Sequence, residues 1–301
     1  MRPILPPSPV LVGVDGSASA EHAAKWAAVE AERRKVPLRL LFALNLAIYA
    51  QARGFGVPRD FLEVIKADGH RVLDELRDSI GGAHPALVVE TELRDCDAVP
   101  ALVGESATAC LVVLGSRGLG GFSGILVGST AVALAARGRC PVAVIRGGAD
   151  DAGPAPAGPV VVGVDDTPTG EVALAAAFDQ ASSRGADLVA VRAWQVSSIA
   201  VHAHAHQYTK DWSAMEDRER ESLDARVAGW SEKYPEVAVR RVVSRHRPVR
   251  GLLENSVDAR LLVVGSRGHG GVAGVLLGST SQALIYHATC PLLVVRATDP
   301  R

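Results

Sequence analysis

Leu111-Val112-Val113-Leu114-Gly115-Ser116-Arg117-Gly118 is an apolar run that stops abruptly on glycine. It leads into Leu119-Gly120-Gly121-Phe122-Ser123-Gly124-Ile125-Leu126-Val127-Gly128-Ser129-Thr130. The run is short, rich in branched side chains and bounded by glycine, which reads as a buried strand. A glycine-rich loop follows, and Ser129-Thr130 then opens a helical pattern. Counted out, the motif is Gly115, two residues, Gly118, nine residues, Gly128, Ser129; it recurs as Gly265, two residues, Gly268, nine residues, Gly278, Ser279. One such pattern fits many turns, whereas two with the same spacing indicate a built loop.

Working outward, the whole chain proves to be duplicated. Val12-Gly13-Val14-Asp15 returns as Val162-Gly163-Val164-Asp165, Gly128-Ser129-Thr130 as Gly278-Ser279-Thr280, Cys140-Pro141 as Cys290-Pro291, and Arg146 as Arg296. Every offset is 150 residues, too long for a solenoid repeat, so the expectation is two tandem domains. Residues 1–147 form the first and 159–301 the second; 148–158, rich in Gly, Pro and Ala, have the composition of a linker.

Within one copy, Val10 to Asp15 reads as the first strand, and Gly16-Ser17-Ala18-Ser19 as a turn with a helix cap. Ala24, Ala27, Ala28 and Ala31 recur at helical spacing before Pro37, and Leu174, Ala177, Phe178 and Ala181 repeat that stripe. Strands are expected at Leu38–Leu44, Leu87–Leu93 and Val142–Ile145, and helices at Arg59–Ser79, Pro100–Ala109 and Thr130–Ala136. The second copy carries counterparts at Leu188–Trp194, Val237–Val243, Ser213–Lys233 and Val249–Ala259. Strand and helix alternate, so the fold class is α/β with two tandem, doubly wound, five-stranded parallel sheets of Rossmann-like type. Ligands of such sheets bind beyond the carboxyl ends of strands where the winding reverses. Asp15 and the Gly115 loop both lie just past strand ends, and they face one crevice if strands one and four are neighbours.

Composition narrows the function classes. The 301 residues are 48% apolar and 22% charged with a net charge of −1, which excludes a general basic field for nucleic acid or anionic membrane. Met1 to Pro9 lacks the apolar core of a signal peptide, and the longest apolar run, Leu40 to Ala50, is broken by Asn45 and too short to span a bilayer. The four cysteines lack CxxC spacing and are too few for a disulfide framework, so the cytoplasm is the expected compartment.

The loop has phosphate-binding chemistry. Glycine at 115, 118 or 128 lets a ligand approach the backbone without meeting a Cβ, and successive N–H groups form an anion-binding concavity. Ser129 and Thr130 add hydroxyls at a helix amino-terminus. Arg117 and Arg267, inside the loops, are candidates to neutralise phosphate. The alternative is a tight strand–helix turn whose glycines only permit packing. Two familiar motifs do not fit: Gly128 and Gly278 lack the following lysine of a Walker loop, and no dinucleotide fingerprint follows strand one.

Strand one ending in Val-Asp-Gly-Ser, the G-2x-G-9x-G-S loop and the closing Cys140-Pro141-Val142-Ala143-Val144 together resemble the universal stress protein family, tandem-domain type, ATP-binding branch. The resemblance covers roughly 9–146 and 159–296. It implies ATP, with magnesium, held at its phosphates by Gly115, Gly118, Gly128 and Ser129 in one half and by Gly265, Gly268, Gly278 and Ser279 in the other; Thr130 and Thr280, at the helix starts, are the further binding candidates. It implies contact of Asp15 or Asp165 with the adenosine end, and of backbone near Ala43 or Ala193 with the adenine edge. It further implies pairing through the last strands, so that the halves form a pseudo-two-fold dimer and two chains associate into a homodimer. The role implied is a nucleotide-dependent regulatory module in stress response or growth control, with a regulatory protein as a candidate partner. No catalytic base is identifiable; a slow ATPase and a dimerisation module without nucleotide are the alternatives.

The copies differ where Gly16-Ser17 becomes Asp166-Thr167. A carboxylate about 7 Å from a phosphate costs roughly 2 kcal/mol at an effective dielectric of about 20, a sign that a bound divalent ion reverses, so the two halves are expected to bind ATP with unequal affinity. His202, His204 and His206 alternate in an expected loop without a counterpart in the first copy, and no metal site is assigned to them. Cys140 and Cys290, before proline at a strand start, are expected to be packing residues.

Overall fold

Short runs dominated by Val, Leu and Ala, four to six residues long, form every strand of each half but the third. The computed structural model describes residues 8–46, 59–118, 127–146, 157–194, 209–268 and 276–297. In the first half these are β1 (Val10–Val14), β2 (Leu38–Ala43), β3 (Val89–Arg94), β4 (Leu111–Gly115) and β5 (Val142–Ile145). The helices are α1 (Ala18–Arg34), α2 (Arg59–Ala83), α3 (Ala98–Glu105) and α4 (Ser129–Arg137). The second half repeats the order with β6 (Val160–Gly163), α5 (Pro168–Arg184), β7 (Leu188–Ala193), α6 (Thr209–Lys233), β8 (Val239–Ser244), α7 (Pro248–Asn255), β9 (Leu261–Gly265), α8 (Ser279–His287) and β10 (Leu292–Val295). The chain divides into two units at Gly153/Pro154. Most of the expected linker lies outside the described residues, as do His202, His204, His206 and the loop tips 119–126 and 269–275.

Both units are parallel throughout. The first has the order β3-β2-β1-β4-β5 and the second β8-β7-β6-β9-β10. Winding reverses between β1 and β4, and between β6 and β9, so strands one and four of each copy are neighbours, as the crevice argument requires. The alanine stripe of α1 is fully buried, and α1 lies close over β1 and β4 because its face is almost all alanine. Leu174, Ala177, Phe178 and Ala181 are buried on α5 in the same way.

Several boundaries differ from the sequence reading. Asp15 stands just outside β1 rather than ending it. The second strands stop at Ala43 and Ala193, one residue short of Leu44 and Trp194. α2 runs through Gly81 and Gly82 to Ala83, because the His84 N–H still reaches the Ile80 carbonyl at 2.8 Å and the His84 ring meets Glu32 at 2.8 Å. β3 starts two residues late, since the Leu87 N–H closes a turn on the His84 carbonyl. β8 does likewise, with Val237 closing on Tyr234. α3 begins at Ala98, which puts Pro100 in the first turn where no backbone donor is needed.

The two copies end their first helix with the same backbone but different residues. Lys35 has φ 57° and ψ 43°, as has Gly185. The left-handed region penalises a side chain, and glycine adopts it freely. Lys35→Gly is therefore expected to stabilise the first unit by about 0.5–1 kcal/mol, read as a higher thermal midpoint. A lower midpoint would show that the lysine side chain contributes more than its backbone costs.

Candidate functional site

The switch point of each unit gathers the turn after strand one, the loop after strand four and the helix that follows it. Asp15 accepts the Ser17 N–H at 3.0 Å, and Asp165 accepts both the Thr167 N–H at 3.1 Å and the Thr167 hydroxyl at 2.6 Å. Ser17 and Thr167 also cap the first helix, accepting from the N–H of Ala20 at 3.2 Å and of Gly170 at 3.0 Å. These short-range bonds aim each aspartate across the crevice. A Cβ on Gly118 would overlap Asp15 Oδ2, and one on Gly268 would lie 2.7 Å from Asp165 Oδ2. Strand-one acid and loop glycine, 103 positions apart in each copy, are thus in contact.

The loop glycines have different duties. Gly115 faces the first turn of α1, where a Cβ would come within 2.7 Å of the Ser19 carbonyl oxygen; Gly265 faces Thr169 in the same manner. Those two allow strand and helix to pack. Gly128 and Gly278 close the loop, their N–H groups donating to the carbonyls of Ser116 at 2.8 Å and Ser266 at 2.7 Å. They are also the N-caps of α4 and α8, so Ser129-Thr130 and Ser279-Thr280 form the first helical turn beside the loop. Neither cap uses a side-chain hydrogen bond, and the amino-terminus faces the crevice with its dipole positive.

In the second unit the crevice is a cavity of about 900 Å³. Asp165, Ala193, Gly265, Arg267, Gly268, Gly278, Ser279 and Thr280 all line it, so every second-half residue named from the sequence comes together there. In the first unit Asp15, Gly118, Gly128, Ser129 and Thr130 take the equivalent places, with Ala43 at the end of β2. Arg117 and Arg267 are exposed on their loops. Arg267 has a cationic neighbour: Arg296 follows β10 beside Ser266, whose N–H donates to the Val295 carbonyl at 2.7 Å. Burial, and then the like charge of Arg267, holds Arg296 below the ordinary guanidinium value. Two cations at one loop favour an anionic ligand.

The expected penalty from Asp166 requires correction. That carboxylate is not bare. Arg192, from β7, grips it with Nη1 at 2.9 Å and Nη2 at 2.5 Å, and Arg226, from α6, adds Nε at 2.8 Å. Arg192 also pairs with Glu219, and Arg226 reaches Glu171 at 3.4 Å. The Arg192 guanidinium, against the opposing effect of burial and helped by Arg226, holds the Asp166 carboxyl well below the usual carboxylate range. A depressed folded-state value means that this pairing supports the fold fully above the ordinary range and less as pH falls toward the depressed value.

Arg192, Trp194, Glu219, Pro248 and Leu252 line the cavity without having been singled out by residue type. Arg192 left a signal: it is a charge near the end of an otherwise apolar strand, where the first copy has Phe42. Among the described residues no disulfide forms, and Cys140 and Cys290 are buried. Burial pushes the Cys140 thiol up to about 12, which suits a packing residue. Among the described residues no group of three or more His, Cys, Asp or Glu side chains gathers as a metal site, and no helix is long and apolar enough to cross a membrane.

The sequence profile of the Universal stress protein family matches residues 8–146 and 157–296. Universal stress protein Rv2005c of Mycobacterium tuberculosis is 41% identical over 292 residues, covering 95% of this chain and 96% of its own length. Universal stress protein Rv2623 of the same organism is 38% identical over 293 residues, with the same coverage. Among solved structures, a universal stress protein from Archaeoglobus fulgidus covers 96% of this chain and 98% of its own, with a TM-score of 0.68 at 21% identity, a likeness of fold.

Proposed function

The chain belongs to the universal stress protein family, in two tandem copies, and on that footing we propose that it binds ATP with magnesium at the switch point of each unit and works as a nucleotide-dependent regulatory module. The observation that carries this reading is the second-unit cavity of about 900 Å³, lined by the acid, the loop glycines and the helix amino-terminus together. Its size falls within the about 300–1,000 Å³ typical of small-molecule sites. Gly268 leaves room that a side chain would fill, and Gly278 does the same against Arg267 and Ser266. The residues fit a polyphosphate: N–H groups and a helix dipole for its oxygens, and Arg267 for its charge. Asp165, held by Thr167, is placed to accept hydroxyl donors of the sugar.

Magnesium is a hard ion that keeps several waters and takes phosphate oxygens, so it enters with the nucleotide rather than in a cage of side chains. What the bound nucleotide supplies is charge and shape at the loop; the reading assigns no residue to its hydrolysis. Action in the cytoplasm in stress response or growth control, self-association into a homodimer through the last strands and recognition by a regulatory protein belong to the same proposal.

The test is nucleotide content. Protein purified without added ATP, then denatured, is expected to release adenine nucleotide approaching two per chain, since the charge of Asp166 is cancelled and both units are competent. Release of ADP alone would turn the reading toward slow hydrolysis. No release, together with no uptake of added ATP and magnesium by a folded chain, would refute nucleotide binding.

A further inference from the structure

The second cavity carries charges that the first unit does not have. Asp166, Arg192 and Glu219 all line it, and Arg192 is only 8% exposed. At the equivalent positions the first unit has Gly16, Phe42 and Gly69, with Val72 and Leu76 where the second has Ser222 and Arg226. An apolar layer has been replaced by an ionic one. Gly16 takes φ 84°, whereas Lys35 is the sole non-glycine with positive φ among the described residues, so the turn at Asp166 also has a different backbone.

We infer that Arg192 sets the affinity of the second cavity for anionic ligands, by cancelling the two carboxylates, Asp166 and Glu219, that share its wall; this rests on the nucleotide reading above. A buried cation that pairs with two carboxylates leaves the wall near neutral, with Arg226 completing the balance. Without Arg192, Asp166 would keep only Arg226 and Glu219 would lose its partner, so one net negative charge would face the ligand, and one charge at about 7 Å matters by a factor of tens. The carboxylates in turn hold α6 and the β6–α5 turn against β7, so Arg192 positions the wall and sets its charge at once. It is a positioning residue and touches the ligand only through the field it controls. The first unit needs no such residue, having no carboxylate at positions 16 and 69.

The experiment uses the full chain carrying Gly118→Glu, so that uptake reports the second unit, and titrates adenosine, AMP, ADP and ATP. Arg192→Gln is expected to weaken ATP by about 30-fold, AMP by less, and uncharged adenosine by no more than about 2-fold. Arg192→Lys, which keeps the charge but not the fork, is expected to recover ATP affinity to within about 3-fold. Asp166→Asn should shift ATP the opposite way, toward tighter binding. Should Arg192→Gln fail to fold, the charge-neutral pair Arg192→Gln, Glu219→Gln serves instead: it leaves Asp166 with Arg226 and is expected to bind ATP like its parent. Equal weakening of adenosine and ATP, or weaker ATP binding on both Arg192→Gln and Asp166→Asn, would overturn the inference and leave Arg192 a packing role. If the Gly118→Glu chain with Arg192 intact takes up none of the four ligands, it is the nucleotide reading of this unit that has failed.

Discussion

Gly268→Glu is expected to remove ATP uptake by the second unit, and Gly118→Glu by the first, each lowering affinity at least about 100-fold. Two effects add. A Cβ at 268 already lies 2.7 Å from Asp165 Oδ2, and at 118 it overlaps Asp15 Oδ2, so the aspartate must leave its place. Moving Asp165 breaks its bonds to the Thr167 N–H and hydroxyl. The new carboxylate then sits among the groups meant for phosphate and repels it. Calorimetric titration with ATP and magnesium checks this: each single variant should lose half of the sites, and the double variant all of them. Wild-type stoichiometry in Gly268→Glu would remove the loop from the site. Gly115→Ala tells a different story, since its neighbours are backbone atoms of α1, and its cost falls on folding.

Phe178→Ala is expected to destabilise the second unit by about 3–5 kcal/mol, the range for an aromatic truncated in a packed core. Phe178 is fully buried, with ring centroids 6.1 Å from Trp230 and 5.7 Å from Tyr234. Lys233 caps this stack at 5.0 Å from the Trp230 centroid, and the Trp230 indole donates to Glu171 at 2.7 Å. The first unit has Ala28, Ile80 and His84 at the same places, so α6 is attached to α5 by an aromatic cluster that α2 lacks. Urea unfolding followed by tryptophan emission should show an early transition in the variant. An unchanged midpoint would mean that the neighbours collapse into the space at little cost, contrary to a packed stack.

How far the site could be read in advance differs from residue to residue. Gly118 and Gly268 were legible because spacing repeated at a fixed offset exposes a loop, whichever residues fill it. Asp15 and Asp165 were legible because an acid ending an apolar run stands out. Arg192 was not assigned. Its partners Asp166 and Glu219 lie 26 and 27 positions away, and Arg226 lies 60 from Asp166, separations at which no period or motif operates. Comparing the two copies position by position is the one sequence signal that marks it, as Phe42 against Arg192.

The sequence by itself determined the duplication, the alternation of strand and helix and the parallel sheet that follows from it, and it placed the crevice only on the condition that strands one and four are neighbours. These are consequences of chain connectivity and of apolar periodicity, both local and both visible along the chain. Only the tertiary structure decided what each loop glycine faces, with Gly115 against a helix backbone and Gly118 against a carboxylate. It alone decided that Asp166 is paired rather than bare. The physical reason is that steric contact and charge pairing depend on distance in space, and packing brings together groups that the sequence holds far apart.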